Sequence, residues 1–264
     1  MPASSRAEPL TTVLMPAYRA HATVRESVES VLAQTVPEVE VVVVDDGSEE
    51  PIADALRGVD DPRLRVVRHD RNRGIDAARN TALRAARSPF VSQLDADDVW
   101  HPDYLESVLP RFEDPGVGLV YANVSIRNHP DGRDIAITYA RDHPVDSFPR
   151  ICDACEIPSA TPTMRTEAVR AVGGYAEWLT YTGDYHLYLK LARAGWRFDY
   201  VDRPLATYTW PTPASGVTYD RSATRADTLR MWAGFALRHP LTPGPRRQLR
   251  RRLAAELRRR AGRG

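Results

Sequence analysis

Cysteine, long apolar runs and net charge are all scarce in this sequence, and each absence excludes a class of protein. The 2 cysteines, Cys152 and Cys155, are too few for a disulfide scaffold, and no further Cys-x-x-Cys or His-x-x-x-His pair completes a zinc site. No stretch approaches the ~18 uncharged apolar residues of a membrane span. Residues 1–9 lack the apolar run of a signal peptide, so we expect a cytoplasmic protein.

The balance of charges and two missing motifs exclude further functions. The 36 basic and 35 acidic side chains leave a net charge of +1, which gives no electrostatic case for nucleic-acid binding. Neither the Rossmann fingerprint G-x-G-x-x-G nor the Walker lysine motif occurs. With 264 residues and 42% hydrophobic side chains, the chain is long and apolar enough for one large α/β domain or two small ones.

Short apolar runs alternate with helical patterns in the first half of the chain. The runs predict strands at 12–15, 39–44, 64–68 and 90–94, and the patterns predict helices at 23–34, 75–86 and 102–112. This alternation predicts right-handed crossovers and a largely parallel sheet. The second half is less regular, with strands predicted at 117–121, 135–139, 198–201 and 205–210 and helices at 185–194 and 220–238.

Two acidic clusters follow predicted strands directly. Asp45 and Asp46 come after one strand, and Asp95, Asp97 and Asp98 come after another. Ligands of parallel sheets collect beyond the carboxyl ends of the strands, and gathered carboxylates repel unless a cation or proton neutralises them. Oxygen ligands suit Mg²⁺ or Mn²⁺, so we expect the clusters to converge on a divalent ion that holds a diphosphate. The alternative is that the aspartates only shape turns.

The ordered motifs of the chain resemble those of glycosyltransferase family 2. They are Val13-Leu-Met-Pro-Ala-Tyr18, Val43-Val-Asp-Asp-Gly-Ser48, Asn72-Arg-Gly74 with Ala78-Arg-Asn80, Leu94-Asp-Ala-Asp-Asp98, Gly173-Gly-Tyr175, Gly183-Asp-Tyr185, and Pro204-Leu205 with Tyr208. The resemblance implies the GT-A fold, a Rossmann-like, mostly parallel sheet flanked by helices. It implies a flexible N-terminus (1–10), a nucleotide-sugar-binding half (11–112), an acceptor-side half of the same domain (113–219) and a C-terminal helical segment (220–264).

The resemblance also implies the roles of individual residues. Nucleotide-sugar binding falls to Pro16, Ala17, Tyr18, Asp45, Asp46, Asn72, Gly74, Arg79, Asp95 and Ala96. Tyr18 is expected to stack on the base, and Asp95 and Asp97 to hold Mg²⁺ or Mn²⁺. The vicinity of the sugars is assigned to Gly173, Gly174, Trp178 and Gly183. Asp184 is expected to be the general base; the alternative is that it only caps a helix that begins at Tyr185.

The implied activity is an inverting transfer of sugar from a nucleotide diphosphate, a UDP-sugar by family frequency, to a carbohydrate, lipid-linked or small-molecule acceptor. The alternatives are a non-catalytic nucleotide-sugar-binding module and a nucleotidyltransferase on a related sheet.

Two positions depart from the family: Gly183 stands where glutamate is usual, and Arg19 replaces asparagine. His186 is predicted on a helix surface. Residues 246–260 have the pattern of a basic amphipathic helix. This helix could lie on an anionic membrane, or it could pack on the protein through its leucines.

Overall fold

The computed structural model describes residues 8–128, 135–137, 145–153, 155–210 and 221–239, together with positions 246, 247, 250, 254 and 258. The strands are β1 (Thr11–Ala17), β2 (Val39–Asp45), β3 (Leu64–Arg68), β4 (Phe90–Gln93), β5 (Val99–Trp100), β6 (Val117–Arg127), β7 (Ile135–Ile137), β8 (Thr163–Arg165) and β9 (Arg197–Thr209). The helices are α1 (Val24–Leu32), α2 (Ile52–Ala55), α3 (Ile75–Ala85), α4 (Tyr104–Val108), α5 (Phe148–Asp153), α6 (Thr166–Ala171), α7 (Gly183–Arg193) and α8 (Arg221–Arg238), with a 3-10 helix at Leu109–Glu113.

The described strands form one nine-stranded sheet in the order β3-β2-β1-β4-β8-β6-β9-β5, with β7 paired to β6. The first four strands of that order pair in parallel, as the alternating pattern predicts. The second half is mixed, because β8 runs antiparallel to both β4 and β6 while β6 and β9 are parallel. The expected parallel sheet therefore holds for the first half of the chain, and the second half extends the sheet with reversed strands.

One strand replaces two predicted ones near the far edge of the sheet. The predicted strands at 198–201 and 205–210 are the single strand β9, which pairs with β6 through register shifts at Ala122/Asn123 and Asn123/Val124. Pro204 lies at this irregular point, opposite Asn123. Proline has no N–H to donate to a ladder and is tolerated at bulges, so the strand continues past it.

The sheet is buried on both faces, and this explains the unbroken apolar run of β2. Val41 and Val43 point into one core, whereas Val42 and Val44 point into the other. Helices α1 and α4 cover the first face, and α3, α6, α7 and α8 cover the second. Buried parallel strands are apolar on both sides, so alternation is lost. The carboxyl ends of β1, β2 and β4 are left to carry polar residues.

Some predictions fall on parts of the chain that the structure does not describe. Most of the predicted amphipathic helix 246–260, residues 138–139 of a predicted strand and residues 1–7 of the predicted flexible N-terminus lie outside the described residues. Within the described part, no helix has both the length and the apolarity needed to cross a bilayer.

Candidate active site

The first acidic cluster anchors loops at the end of β2. Asp45 accepts hydrogen bonds from the backbone N–H groups of Ser48 (2.9 Å) and Ile52 (3.1 Å) and lies 3.3 Å from an Arg68 guanidinium nitrogen. Its carboxylate thus caps the first turn of α2 and is almost completely buried. These hydrogen bonds fix the conformation of the loop that joins β2 to α2.

Asp46 binds the loop that precedes α3. It accepts hydrogen bonds from the backbone N–H groups of Arg73 (3.0 Å) and Gly74 (2.8 Å), and it lies 2.6 Å from Nδ1 of His69. Asn72, on the same loop, accepts a hydrogen bond from the Gly74 N–H at 3.1 Å. Asn72 and Gly74 are exposed while Asp46 is buried. The structure therefore brings Asp46, Asn72 and Gly74 together, and adds His69, which the sequence pattern did not single out.

Tyr18 stands open to solvent just beyond β1. Its side chain is 40% exposed, whereas Pro16 and Ala17 are buried in the strand, beside Val44 and Asp45 of β2. The Arg19 guanidinium lies 5.2 Å from the centre of the Tyr18 ring and pairs with Glu49. A partly exposed ring at the carboxyl end of a central strand is positioned where it could stack on a planar ligand beside Arg19.

The second acidic cluster follows β4 and is tied to the end of β9. Asp98 is buried and accepts a hydrogen bond from the Thr209 N–H at 2.8 Å, while the Thr209 hydroxyl donates to the Asp97 carbonyl. Burial, and then the negative charge of Asp97, raises the pKa of Asp98 well above its usual range. Burial and the neighbouring Asp95 likewise raise the pKa of Asp97. The Asp97 and Asp98 carboxyls thus hold their protons more tightly than carboxyls in water do.

Arg79 is a buried cation among three aspartates. Its guanidinium donates to Asp95 at 2.7 Å and lies 3.4 Å from Asp76, and Asp184 also acts on its charge. Burial lowers the pKa of Arg79, but Asp95 and Asp76 outweigh that effect and hold the pKa above its usual value. Since Asp95 follows β4 and Asp184 lies in α7, Arg79 joins the two halves of the chain at one point.

Two residues outside the predicted site hold Arg79 in place. The Tyr175 ring lies 5.6 Å from the Arg79 guanidinium, and the Tyr175 hydroxyl donates to the Gln93 side chain at 3.0 Å. Gln93 in turn donates to the Ser159 carbonyl at 2.9 Å. These contacts join residues far apart in the sequence, so no local pattern pointed to them. The attraction between an aromatic ring and a guanidinium charge offsets part of the solvation free energy that the arginine loses on burial.

Asp184 lies in the first turn of α7. The helix begins at Gly183 with Thr182 as the capping residue, so Asp184 is not the cap of a helix that begins at Tyr185. One carboxylate oxygen accepts the Tyr185 N–H at 2.6 Å. Burial raises the pKa of Asp184, and the positive charge of Arg79 opposes that shift. A partly exposed carboxylate with raised proton affinity has the property that a general base needs.

Gly173 and Gly174 end helix α6. Their N–H groups donate to the carbonyls of Arg170 and Val169, both at 2.9 Å, and both glycines have positive φ angles (80° and 65°). This pairing is a Schellman cap, which favours glycine. A Cβ on Gly174 would lie 2.7 Å from the Asn80 side chain of α3. Their described contacts are therefore those of a helix end packed on α3, and their placement near a bound sugar stays a prediction.

The Trp178 loop is exposed and is fixed by one buried aspartate. Trp178 and Tyr181 are 48% and 39% exposed. Asp227, in α8, accepts the N–H groups of Thr180 (3.1 Å), Tyr181 (2.8 Å) and Thr182 (3.1 Å) on a single carboxylate oxygen. This loop immediately precedes Asp184. By fixing the loop, Asp227 determines the positions of the Trp178 and Tyr181 side chains relative to Asp184.

His186 is buried, not on a helix surface as its sequence context predicts. It is 6% exposed and meets the rings of Trp178 (5.7 Å) and Phe235 (6.1 Å) edge-on. The pattern misled because α8, which covers this face of α7, lies about 40 residues further along the chain. Burial lowers the pKa of His186 to about 4, and the positive charge of Lys190 adds to that effect.

The two acidic clusters have separate partners. The contacts of Asp45 and Asp46 are with loop backbone, Arg68 and His69, whereas Asp95 binds Arg79. In the described part of the chain, no three His, Cys, Asp or Glu side chains form a group that could hold a metal ion. Mg²⁺ uses few carboxylates when phosphate oxygens complete its shell. Asp95 and Asp97 are hard oxygen ligands of the kind that fits such a donor set, although Asp95 also binds Arg79.

Comparison with known structures defines the fold as GT-A. A mannosyltransferase from Pyrobaculum calidifontis in complex with GDP-Man and Mn²⁺ aligns with a TM-score of 0.70 at 23% identity, over 94% of this chain and 70% of that one. S. aureus TarS 1-349 in complex with UDP-GlcNAc aligns with a TM-score of 0.72 at 20% identity, over 92% and 71%. The expected fold class is confirmed.

The chain belongs to glycosyltransferase family 2. The sequence profile of that family matches residues 12–165, and the profile of glycosyl transferase family group 2 matches residues 90–260. Chondroitin synthase of Escherichia coli is 32% identical over 71% of this chain and 27% of its own length. The Escherichia coli enzyme WfgD, a UDP-Glc:alpha-D-GlcNAc-diphosphoundecaprenol beta-1,3-glucosyltransferase, is 32% identical over 46% of this chain and 47% of its own. The chain thus spans from about a quarter to half the length of these relatives.

Replacing Asp227 by asparagine is expected to loosen the Trp178 loop. The asparagine amide would present donors or a weaker acceptor to three N–H groups that now share a carboxylate oxygen. Loss of buried hydrogen bonds to a charged group costs about 1.5–3 kcal/mol. Thermal unfolding should show a melting temperature lower by several degrees (~2–4 °C per kcal/mol). Asp54→Asn, at an exposed ion pair, is the control; equal melting temperatures for both variants would contradict this role.

His186 is expected to lower stability in mild acid. Its pKa of about 4 in the folded protein lies below the value of about 6.5 in the unfolded chain, so its contribution is complete above pH 6.5 and is lost as the pH falls toward 4. Urea unfolding of the wild type should lose about 2 kcal/mol more than His186→Gln between pH 7 and pH 5. Parallel losses in the two proteins would show that His186 is not buried in its neutral form.

Proposed function

We propose that the chain is an inverting glycosyltransferase that moves a sugar from a nucleotide diphosphate to an acceptor hydroxyl. The observation that carries this proposal is the Arg79 cluster, in which a loop aspartate after β4 binds a buried cation and the charge of an aspartate at the start of α7 acts on the same cation. The cluster thus links a proposed donor-side carboxylate, Asp95, to a proposed acceptor-side carboxylate, Asp184, as a transfer between two substrates requires. A binding module has no need for a second, base-like carboxylate there.

The donor is proposed to be a UDP-sugar. Tyr18 offers an exposed ring for the base, and the loops fixed by Asp45 and Asp46 line the same edge of the sheet. WfgD is named for UDP-Glc, and the TarS complex holds UDP-GlcNAc. Those names support UDP over other nucleotides; the mannosyltransferase complex with GDP-Man makes GDP the comparison to include.

A divalent cation, Mg²⁺ or Mn²⁺, would fit the clustered carboxylates of the 95–98 loop. Asp97 and Asp95 would hold it, because they offer hard oxygen ligands directly after the carboxyl end of β4. When bound, such an ion stabilises the negative charge of the leaving diphosphate as a Lewis acid. Thr209 fixes the loop through Asp98 and through the Asp97 carbonyl, so the two side chains keep their places.

Asp184 acts as the general base in this proposal. The acceptor oxygen bonds to the anomeric carbon as the bond from that carbon to the diphosphate oxygen breaks, so the configuration inverts. The electron pair leaves with the nucleotide diphosphate, and the hydroxyl proton passes to Asp184. The raised pKa of Asp184 suits this step, because a stronger base takes the proton more readily.

The acceptor is proposed to be a carbohydrate or a lipid-linked sugar. Trp178 and Tyr181 expose aromatic faces on the loop that precedes Asp184, and such faces stack on the apolar sides of sugar rings. WfgD is named for a GlcNAc-diphosphoundecaprenol acceptor. A lipid-linked acceptor would give the basic segment 246–260 a purpose in peripheral membrane contact, which stays a proposal.

The proposal is tested by ligand-dependent stability and by one conservative variant. UDP, UDP-glucose, UDP-GlcNAc and GDP-mannose are added with and without Mn²⁺, and a true donor at ~100 times its dissociation constant should stabilise the fold by ~2.7 kcal/mol. Transfer to GlcNAc diphosphate on a short alkyl chain is followed by UDP release. Asp184→Asn should keep the UDP-induced shift and lose ~10²–10⁴-fold in kcat.

Glu167→Gln, an exposed acid in the first turn of α6, is the matched control and should turn over like the wild type. Undiminished turnover of Asp184→Asn would remove this residue from the mechanism. Binding of a nucleotide sugar with no UDP release would favour a non-catalytic binding module. Release of pyrophosphate instead of UDP would favour a nucleotidyltransferase.

A further inference from the structure

Position 183 has no side chain, and a carboxylate from another helix occupies the space that one would fill. An ideal Cβ built on Gly183 would overlap the side-chain oxygens of Asp76, which lies in the first turn of α3. Gly183 itself is helical, a conformation that any residue adopts. The glycine is therefore required by the closeness of Asp76 and not by its own backbone angles.

Asp76 is a buried carboxyl group, not a surface charge. It is 2% exposed; one oxygen lies 3.4 Å from Arg79, and the other, Oδ2, has no hydrogen-bond partner among the described residues. An unsatisfied buried carboxylate oxygen is costly, so its retention needs an explanation. The oxygen that points at Gly183 is the unpartnered one, since it makes the closest approach to that position.

The first turns of α3 and α7 meet at this point. Asp76 is the second residue of α3, and Asp184 is the second residue of α7. The exposed N–H groups and dipole of a helix N-terminus favour negative charge, and here two helices present that end to the same small volume. Each carboxylate acts on the charge of Arg79, and the charge of Asp184 acts on Asp76.

We propose that Asp76 supplies from α3 the acidic side chain that position 183 lacks, and that it positions Asp184 and Arg79 for the transfer. The inference rests on the proposed function. Asp76 takes one side of the Arg79 guanidinium, which leaves the other nitrogen to bind Asp95. Its contact with Arg79 also competes with Asp184 for that cation, so that Arg79 does not draw Asp184 into a closed ion pair and weaken it as a base.

A stability cycle tests the exchange of side chains without any substrate. Gly183→Glu alone should lower the melting temperature by at least about 4 °C, because its side chain must displace a buried carboxylate. In the Asp76→Ser background the same substitution should cost far less. Glu167→Ser, at the same helix position of α6, serves as the control background and should leave the full cost. Additive shifts in the Asp76→Ser background would show that the two positions do not share the space, and would overturn the proposal.

Turnover tests the functional half. Asp76→Ser should lower kcat by about 10-fold to 10²-fold with the UDP-induced stability shift retained, and Asp76→Ser/Gly183→Glu should recover at least about tenfold of that loss. Purely structural damage would not be repaired by a carboxylate on a different helix. Full kcat in Asp76→Ser, or a double variant as slow as Asp76→Ser, would refute the positioning role.

The two proposals fail in different ways. Suppose that the wild type transfers no sugar from any donor while the stability cycle shows strong coupling. The proposed function then fails, and with it the role of Asp76 in transfer. The side-chain exchange between Asp76 and position 183 remains a structural fact only. If the wild type transfers sugar and Asp76→Ser does so at the same rate, the proposed function stands and the inference fails.

Discussion

The buried guanidinium of Arg79 is the constraint on which the rest of the site depends. It binds Asp95 and Asp76 and acts on the charge of Asp184, so it holds acids from both halves of the chain within one small volume. Removing one partner of a buried ion pair costs about 3–5 kcal/mol, because the remaining charge is left uncompensated. The Tyr175 ring, held by Gln93, fixes the cation from the other side. The positions of the acidic side chains are thus set by the packing around Arg79.

Around this centre, the acids divide into two kinds. Asp45, Asp46 and Asp227 have their oxygens engaged by backbone N–H groups and shape loops through those hydrogen bonds. Asp97, Asp98 and Asp184 lie where burial outweighs such bonds, and the pKa of each is raised. In the proposed function, the first kind shapes the loops around the ligand, and the second kind supplies carboxyls that would meet a cation or take a substrate proton. A transferase that binds a diphosphate and deprotonates an alcohol needs both.

The sequence predicts the parallel half of the sheet and the position of Asp95 and Asp97 directly after β4 because those signals are local, whereas the role expected of Asp184 comes only from the family resemblance. Unbroken valine runs mark buried strands, and aspartates at their ends mark the ligand edge. It could not predict that Asp76 fills the space at Gly183, since an acid in the first turn of α3 is already explained by the helix dipole. Nor could it place His186 in the core or Asp227 under the Trp178 loop, because α8 is distant in the chain. The contacts that distinguish this site are long-range, and a single sequence carries no periodic trace of them.

The most direct test of this account is a crystal structure with UDP and Mn²⁺, in which anomalous scattering locates the manganese. We predict one manganese ion bound to Asp97 and to the diphosphate of UDP, with Asp95 next to the ion. Asp184 should lie on the side of the terminal phosphate where the sugar would be attached. A manganese held by Asp45 and Asp46, or a nucleotide bound away from the Arg79 cluster, would contradict it.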